Sequence, residues 1–99
     1  MSPFKWDPKK EAHNLRKHRL DFTTASLIWN GPILEKVDAR RDYGETRVVA
    51  IGEVDGRIMV VVFTWRGTSR RIISARKANP REKGRFEAEI RRRRREAGG

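Results

Sequence analysis

Arg70-Arg71-Ile72-Ile73-Ser74-Ala75-Arg76-Lys77-Ala78-Asn79-Pro80-Arg81-Glu82 reads as a strand that feeds directly into a capped helix. Ile72, Ile73 and Ala75 supply the apolar positions of the strand. Asn79, Pro80 and Glu82 resemble a capping box: a side-chain oxygen, a residue with φ preset, and a carboxylate three positions after the cap. The segment from Arg66 to Lys77 contains no acid. A strand holds such a row of cations only if one face or edge meets solvent or a polyanion. RNA is the favoured polyanion. The plainer alternative is a solvated edge strand whose arginines prevent edge-to-edge association.

Upstream of this strand, the pattern is a hairpin series. Residues 47–52 alternate as a strand, Asp55-Gly56 is a hairpin turn signal, and residues 57–65 form the most apolar run, expected at the centre of the sheet. Arg66-Gly67 turns the chain into residues 69–78. The series implies an antiparallel meander. Residues 33–38 can add a strand, followed by a polar loop from Asp38 to Gly44. Near the start, Phe4-Lys5-Trp6 can make a short strand. Asp7-Pro8 then opens a helix to about His18. Asp21 opens a second helix, with Phe22, Ala25, Ile28 and Trp29 on one face and Leu20 as a staple against Ala25. Asn30-Gly31-Pro32 ends it. Downstream, Phe86 and Ile90 give the last helix a narrow docking stripe. Beyond Ile90 stand Arg91 to Arg95 with no apolar anchor, so the run is expected to fray and residues 97–99 to be disordered. The expectation is one domain over residues 1–90 with a basic tail over 91–99.

The chain of 99 residues carries 24 basic and 13 acidic side chains, a net charge of +11. Such a domain attracts polyanions at long range, nucleic acid first and an acidic protein second. It has no cysteine, which rules out a disulfide scaffold and a thiolate metal site. No apolar run approaches the ~20 residues of a membrane span, and Met1 to Lys10 lacks an apolar signal core. The expected location is the cytoplasm.

The sequence has no phosphate-binding loop, zinc-protease helix or nucleophile elbow. His13 and His18 are five apart and poorly placed to share a metal, and the acids are scattered singly, so neither a metal nor a cofactor is expected. RNA cleavage by attack of its own 2′-OH needs no protein nucleophile. It needs a base, an acid, and cations for the phosphorane charge. Tyr43, Glu45, His18 and several arginines can fill such roles, since the guanidinium fork matches phosphate oxygens. The bland alternative pairs Asp42, Glu45 and the arginines as surface ion pairs, each contributing about 0–1 kcal/mol. Strand alternation places Arg71 and Arg76 on opposite faces unless a bulge intervenes.

Phe4-x-Trp6-Asp7-Pro8-x-Lys10, Asn14-x-x-Lys17-His18 and Phe22-x-x-Ala25 resemble the opening of the BrnT family. Asp38-x-Arg40-x-Asp42-Tyr43-Gly44-Glu45-x-Arg47 is similar to one branch of it, as is Arg71-Ile72-Ile73-Ser74-Ala75-Arg76-Lys77-Ala78-Asn79-x-Arg81-Glu82. The resemblance implies an α+β, RelE-like fold, with N-terminal helices and a C-terminal helix packed on an antiparallel β-meander. It implies a type II toxin that cleaves mRNA as a metal-independent endoribonuclease and arrests translation. It also implies a BrnA-like antitoxin with a ribbon-helix-helix part, operator DNA being met only through that complex. The candidate catalytic set is Arg76, Arg71, Arg47, Glu45, Tyr43 and His18. The candidate RNA-binding set is Lys10, Lys17, Arg40, Arg66, Lys77 and Arg81. RelE-like enzymes often carry a tyrosine near the C-terminus, where this chain has Phe86. The competing reading is a basic RNA- or DNA-binding module or corepressor without catalysis, and a third is a scaffold for an acidic partner.

Overall fold

The computed structural model describes residues 3–39 and 42–98. The chain runs β1 (Phe4–Trp6), α1 (Pro8–His18), α2 (Phe22–Ser26), β2 (Leu34–Asp38), β3 (Arg47–Val54), β4 (Arg57–Arg66), β5 (Ser69–Lys77) and α3 (Pro80–Gly98). The five strands form one sheet in the order β1-β5-β4-β3-β2. The strands β2 to β5 make the expected antiparallel meander, and β1 joins its edge parallel to β5. Asp55 and Gly56 take φ values of 50° and 79°, the left-handed pair that the Asp-Gly signal requires. The fold is α+β, as read from the sequence.

The sheet has two faces with different covers. On one face Ala50, Met59, Val61, Phe63, Ile72 and Ala75 are buried against Leu20, Phe22, Ala25 and Ile28. Gly52 lets the helical layer come close here. A Cβ at that position would stand 2.6 Å from Ile28 Cβ and 2.8 Å from Ile33 Cδ1. The expected helix over residues 21–29 is in fact two pieces, α2 and a 3-10 turn at Leu27–Asn30. In that tighter turn Trp29 packs on Phe4 and Phe63, with ring centroids 5.5 and 5.3 Å away. On the opposite face, Phe86 and Ile90 of α3 cover Ile51, Ile58 and Val60. Val49 and Val62 on that face stay partly open.

The helix α1 lies along the β5 edge. There β1 pairs with Arg70 to Ile72 only, because Asp7 caps the helix and turns the chain away. Asn14 then takes over the bare edge. Its amide donates to Ala75 O at 2.8 Å and Leu20 O at 3.0 Å, and accepts from Ala75 N at 3.0 Å. All of this is buried, so the pairing fixes α1 to the strand.

Helix α3 does not stop at Ile90. It runs to Gly98 through the arginines, where fraying was expected; Gly99 lies outside the described residues. Polar contacts replace the missing apolar anchor. Arg92 bonds Glu89 and Glu96, Arg93 approaches Glu89 at 3.3 Å, and Arg93 donates to Ile33 O at 3.0 Å. Charge pairs three and four apart support a helix, and cations suit its C-terminal end. No helix among the described residues is long and apolar enough to cross a membrane.

Candidate active site

Directly opposed residues on antiparallel strands share a face. Arg71 pairs with Thr64, Ser74 with Val62 and Arg76 with Val60. The register slips between Val62 and Phe63, opposite Ile73. That bulge adds one residue to β5 and returns Arg76 to the face of Arg71. The condition attached to strand alternation is therefore met, and the two arginines lie together on the face that α3 partly covers.

The register arranges this face in transverse rows. Asp38 pairs with Arg47, and Val48 with Phe63, which sets Arg47 beside Thr64; Thr64 pairs with Arg71, and Arg71 with Lys5. The next row holds Lys36, Val49, Val62 and Ser74, and the row after it Leu34, Ile51, Val60 and Arg76. Since α3 covers only the far rows, a cleft of about 560 Å³ opens over Val49, Val60, Val62 and Ser74. Its rim carries Lys17, His18, Lys36, Asp38, Arg76 and Glu82. A second groove shares Lys17, His18 and Ser74 with it and adds Lys10, His13 and Arg47.

Arg76 is held in place. Its two terminal nitrogens reach the two oxygens of Glu82, each at 2.8 Å. Glu82 also closes the capping box of α3, accepting from Asn79 N at 2.9 Å while Asn79 accepts from Glu82 N at 2.8 Å. The helix cap thereby aims the arginine. The bond from Arg76, aided by the Asn79 N–H, holds the Glu82 carboxyl down to about 2. A carboxylate lowered in this way adds stability above pH 4.5 and loses it as the pH falls toward 2. His18, at the end of α1, is shifted the opposite way from a paired histidine. Burial comes first and the charges of Lys17, Arg76 and His13 follow, all lowering its pKa below 6.5. Near neutral pH it is a free base among cations.

The loop before β3 builds a different cluster. The Arg47 guanidinium lies 4.0 Å over the Tyr43 ring, and Tyr43 Oη donates to Asp38 Oδ2 at 3.1 Å. Glu45 stands 3.5 Å from Arg47 Nε and 3.4 Å from Arg66 Nη2. Tyr43 and Glu45 thus hold the arginines and Asp38, and neither lines the cleft. Lys10 and Lys17 line the grooves on the α1 side. Lys77 pairs with Met59 on the opposite face, away from Arg76. Arg81 is exposed on the first turn of α3. Arg66 joins Lys5, Trp6 and Arg71 in a separate pocket. Arg40 lies outside the described residues. Phe86, where a tyrosine was a possibility, is buried under α3 and serves packing.

Lys36, Asp38, Ser74 and Glu82 also line the cleft, though sequence reasoning did not select them. Alternation along residues 34–38 puts Lys36 and Asp38 on one face, but which face depends on the pairing of β2 with β3. Glu82 was visible only as a cap. Its hold on Arg76 needs the bulge. Among the described residues no three His, Asp or Glu side chains gather as a metal site would require.

A family model described as "Ribonuclease toxin, BrnT, of type II toxin-antitoxin system" matches residues 6–82. The match covers the sheet, α1, α2 and the cap of α3, and ends before Phe86 and the arginine run. No curated protein matches the chain.

Proposed function

The chain belongs to the BrnT family of ribonuclease toxins of type II toxin–antitoxin systems, and we propose that it cuts mRNA in the cleft beside β5 without a metal ion. A ribonuclease toxin of this kind has RNA as substrate and an antitoxin as partner. The observation that carries the proposal is the pairing of a deprotonated His18 with a fixed Arg76 and Lys17 on one cleft. His18 takes the proton from a ribose 2′-OH. The 2′ oxygen forms its bond to the adjacent phosphorus, and the bond to the 5′ oxygen breaks. Arg76 and Lys17 stabilise the added negative charge of the phosphorane. The leaving 5′ oxygen takes a proton from the ammonium of Lys17 or Lys36. The products are a 2′,3′-cyclic phosphate and a 5′-OH, with no water consumed. Arg47, held by Tyr43 and Glu45, serves phosphate contact at the groove mouth.

The resulting loss of mRNA arrests translation in the cytoplasm. Residues 1–90 act as one toxin domain and 91–99 as a basic appendage. The partner is a BrnA-like antitoxin with a ribbon-helix-helix part, and operator DNA is bound through the complex.

The test uses purified protein, single-stranded RNA and excess EDTA. The expected result is cleavage with cyclic phosphate ends. A folded Arg76→Ala variant should cut about 100-fold more slowly or worse, the cost of removing one charge-stabilising donor. Full activity in that variant, or none in the wild type with EDTA, would overturn the proposal.

A further inference from the structure

The open sheet face has a second cationic end. Lys5, Arg66 and Arg71 share a pocket of about 340 Å³ with Trp6. Lys5 and Arg71 are neighbours in register on the two edge-side strands. Arg66 follows on the same face two residues beyond Thr64, the partner of Arg71. The cations of the cleft are already engaged: Arg76 with Glu82, and Arg47 with Glu45 and Tyr43. Among the described residues, Lys5 and Arg71 carry no ion pair or side-chain hydrogen bond. Two adjacent unpaired cations repel each other, a cost that a bound anion removes.

The position of this pocket fits the same ligand as the cleft. Arg71 and Arg76 face the same way, with partners Thr64 and Val60 four residues apart on β4, about 13 Å at strand rise. That span exceeds one phosphodiester link. Arg47 and Ser74 lie between the two ends. A single strand laid along β5 meets phosphate-binding groups at both ends and shallow valine surface between them. A helix or compact acidic patch has no such spaced charges.

We propose that Lys5, Arg66 and Arg71 form a second phosphate subsite, which grips single-stranded RNA more than one nucleotide away from the scissile bond. This rests on the reading of the cleft as the cutting centre, and it moves Arg71 from cutting to holding. The substrate is accordingly an extended single strand, and a dinucleotide is too short to use the whole site.

The experiment separates holding from cutting by using 2′-O-methyl RNA, which has no free 2′-OH to attack. Dissociation constants are measured for a dinucleotide and for a single strand of about 12 nucleotides, a length within ordinary single-strand site sizes. Lys5→Ala should weaken the long probe several-fold and leave the dinucleotide within twofold. Its log–log salt dependence with the long probe should flatten by about 0.7 for one lost phosphate contact. Arg71→Ala should weaken the long probe at least as much, and on cleavable RNA raise KM with kcat held within twofold. Equal weakening of both probes would place these residues in the cutting centre and overturn the subsite. Unchanged binding of both would also overturn it. Weaker antitoxin binding with unchanged RNA affinity would show a protein-docking surface instead. Cleavage failure in the wild type would sink the cutting centre alone, because the methylated probes read the subsite independently.

Discussion

Asn14 does a strand's work with a side chain. Its amide satisfies both backbone groups of Ala75 and the carbonyl of Leu20 in a buried site. Asn14→Leu keeps much of the volume and strands those groups without partners. The expected loss is about 2–4 kcal/mol, since each buried unpaired group costs about 1–3 kcal/mol. Urea denaturation followed by circular dichroism measures it, and a loss below 0.5 kcal/mol would show that water replaces the amide. His18 sets the pH behaviour of the same region. Its pKa is lowered from 6.5 by burial and by Lys17, Arg76 and His13, so its stabilising contribution is complete above pH 6.5 and is lost as the pH falls through the depressed value. The base role has the same sign. The value of kcat/KM should be level at neutral pH and fall on acidification with an apparent pKa below 6.5. His18→Gln should remove that acid limb along with most of the rate. A wild-type profile whose midpoint lies above 6.5 would assign the base elsewhere.

Helix α3 joins two jobs in one element. Its first turn aims Arg76 through Glu82, and its middle closes half the sheet face with Phe86 and Ile90. Its last turns are exposed arginines, held as helix by Glu89, Glu96 and the Ile33 carbonyl. Nothing beyond Ile90 lines the cleft except through Arg93, which borders an adjoining groove. Ending the chain after Ile90 should therefore retain the fold and turnover at saturating RNA. The run binds RNA through nonspecific phosphate attraction, and each lost contact should flatten the log–log salt slope by about 0.7. Circular dichroism, single-strand binding across a salt series and turnover at saturation together check this. A folded truncation that binds normally but does not cut would move catalysis into the tail.

The whole molecule is strongly polarised in charge and shape. Its radius of gyration is 14.0 Å and its long axis 45 Å, against about 12.6 Å expected for a compact chain of this length. A helix of 19 residues accounts for the excess, being about 28 Å long. The net charge of +11 lies on the open sheet face, on the exposed side of α1 and along this arm. An acidic antitoxin should be steered toward those surfaces. Its association rate is expected to fall about tenfold or more from low to physiological salt, with dissociation much less affected. Stopped-flow mixing measures both, and a rate indifferent to salt would remove charge from the recognition step.

The order and type of the elements follow from local chemistry, and the sequence alone determined them. Asp7-Pro8 and Asn79-Pro80 set helix starts, Asp55-Gly56 set the hairpin, and alternation set the strands, because each signal acts over a few residues. The basic character of β5 and its resemblance to a toxin family were readable in the same way. What the tertiary structure decided is where those residues meet. The bulge opposite Phe63 turns Arg76 toward Arg71, and side-chain period alone cannot report a one-residue insertion in the pairing. The pairing of β2 with β3 brings Lys36 and Asp38 to the cleft, and folding of α3 onto that face brings Glu82 to Arg76. Tyr43 and Glu45 looked equally able to act on RNA, and their engagement with Arg47, Asp38 and Arg66 became visible only in three dimensions. Continuation of α3 past Ile90 likewise depends partly on a carbonyl 60 residues earlier in the chain. Local propensity sees neighbours along the chain, whereas a site is made by contacts between strands and helices far apart in it.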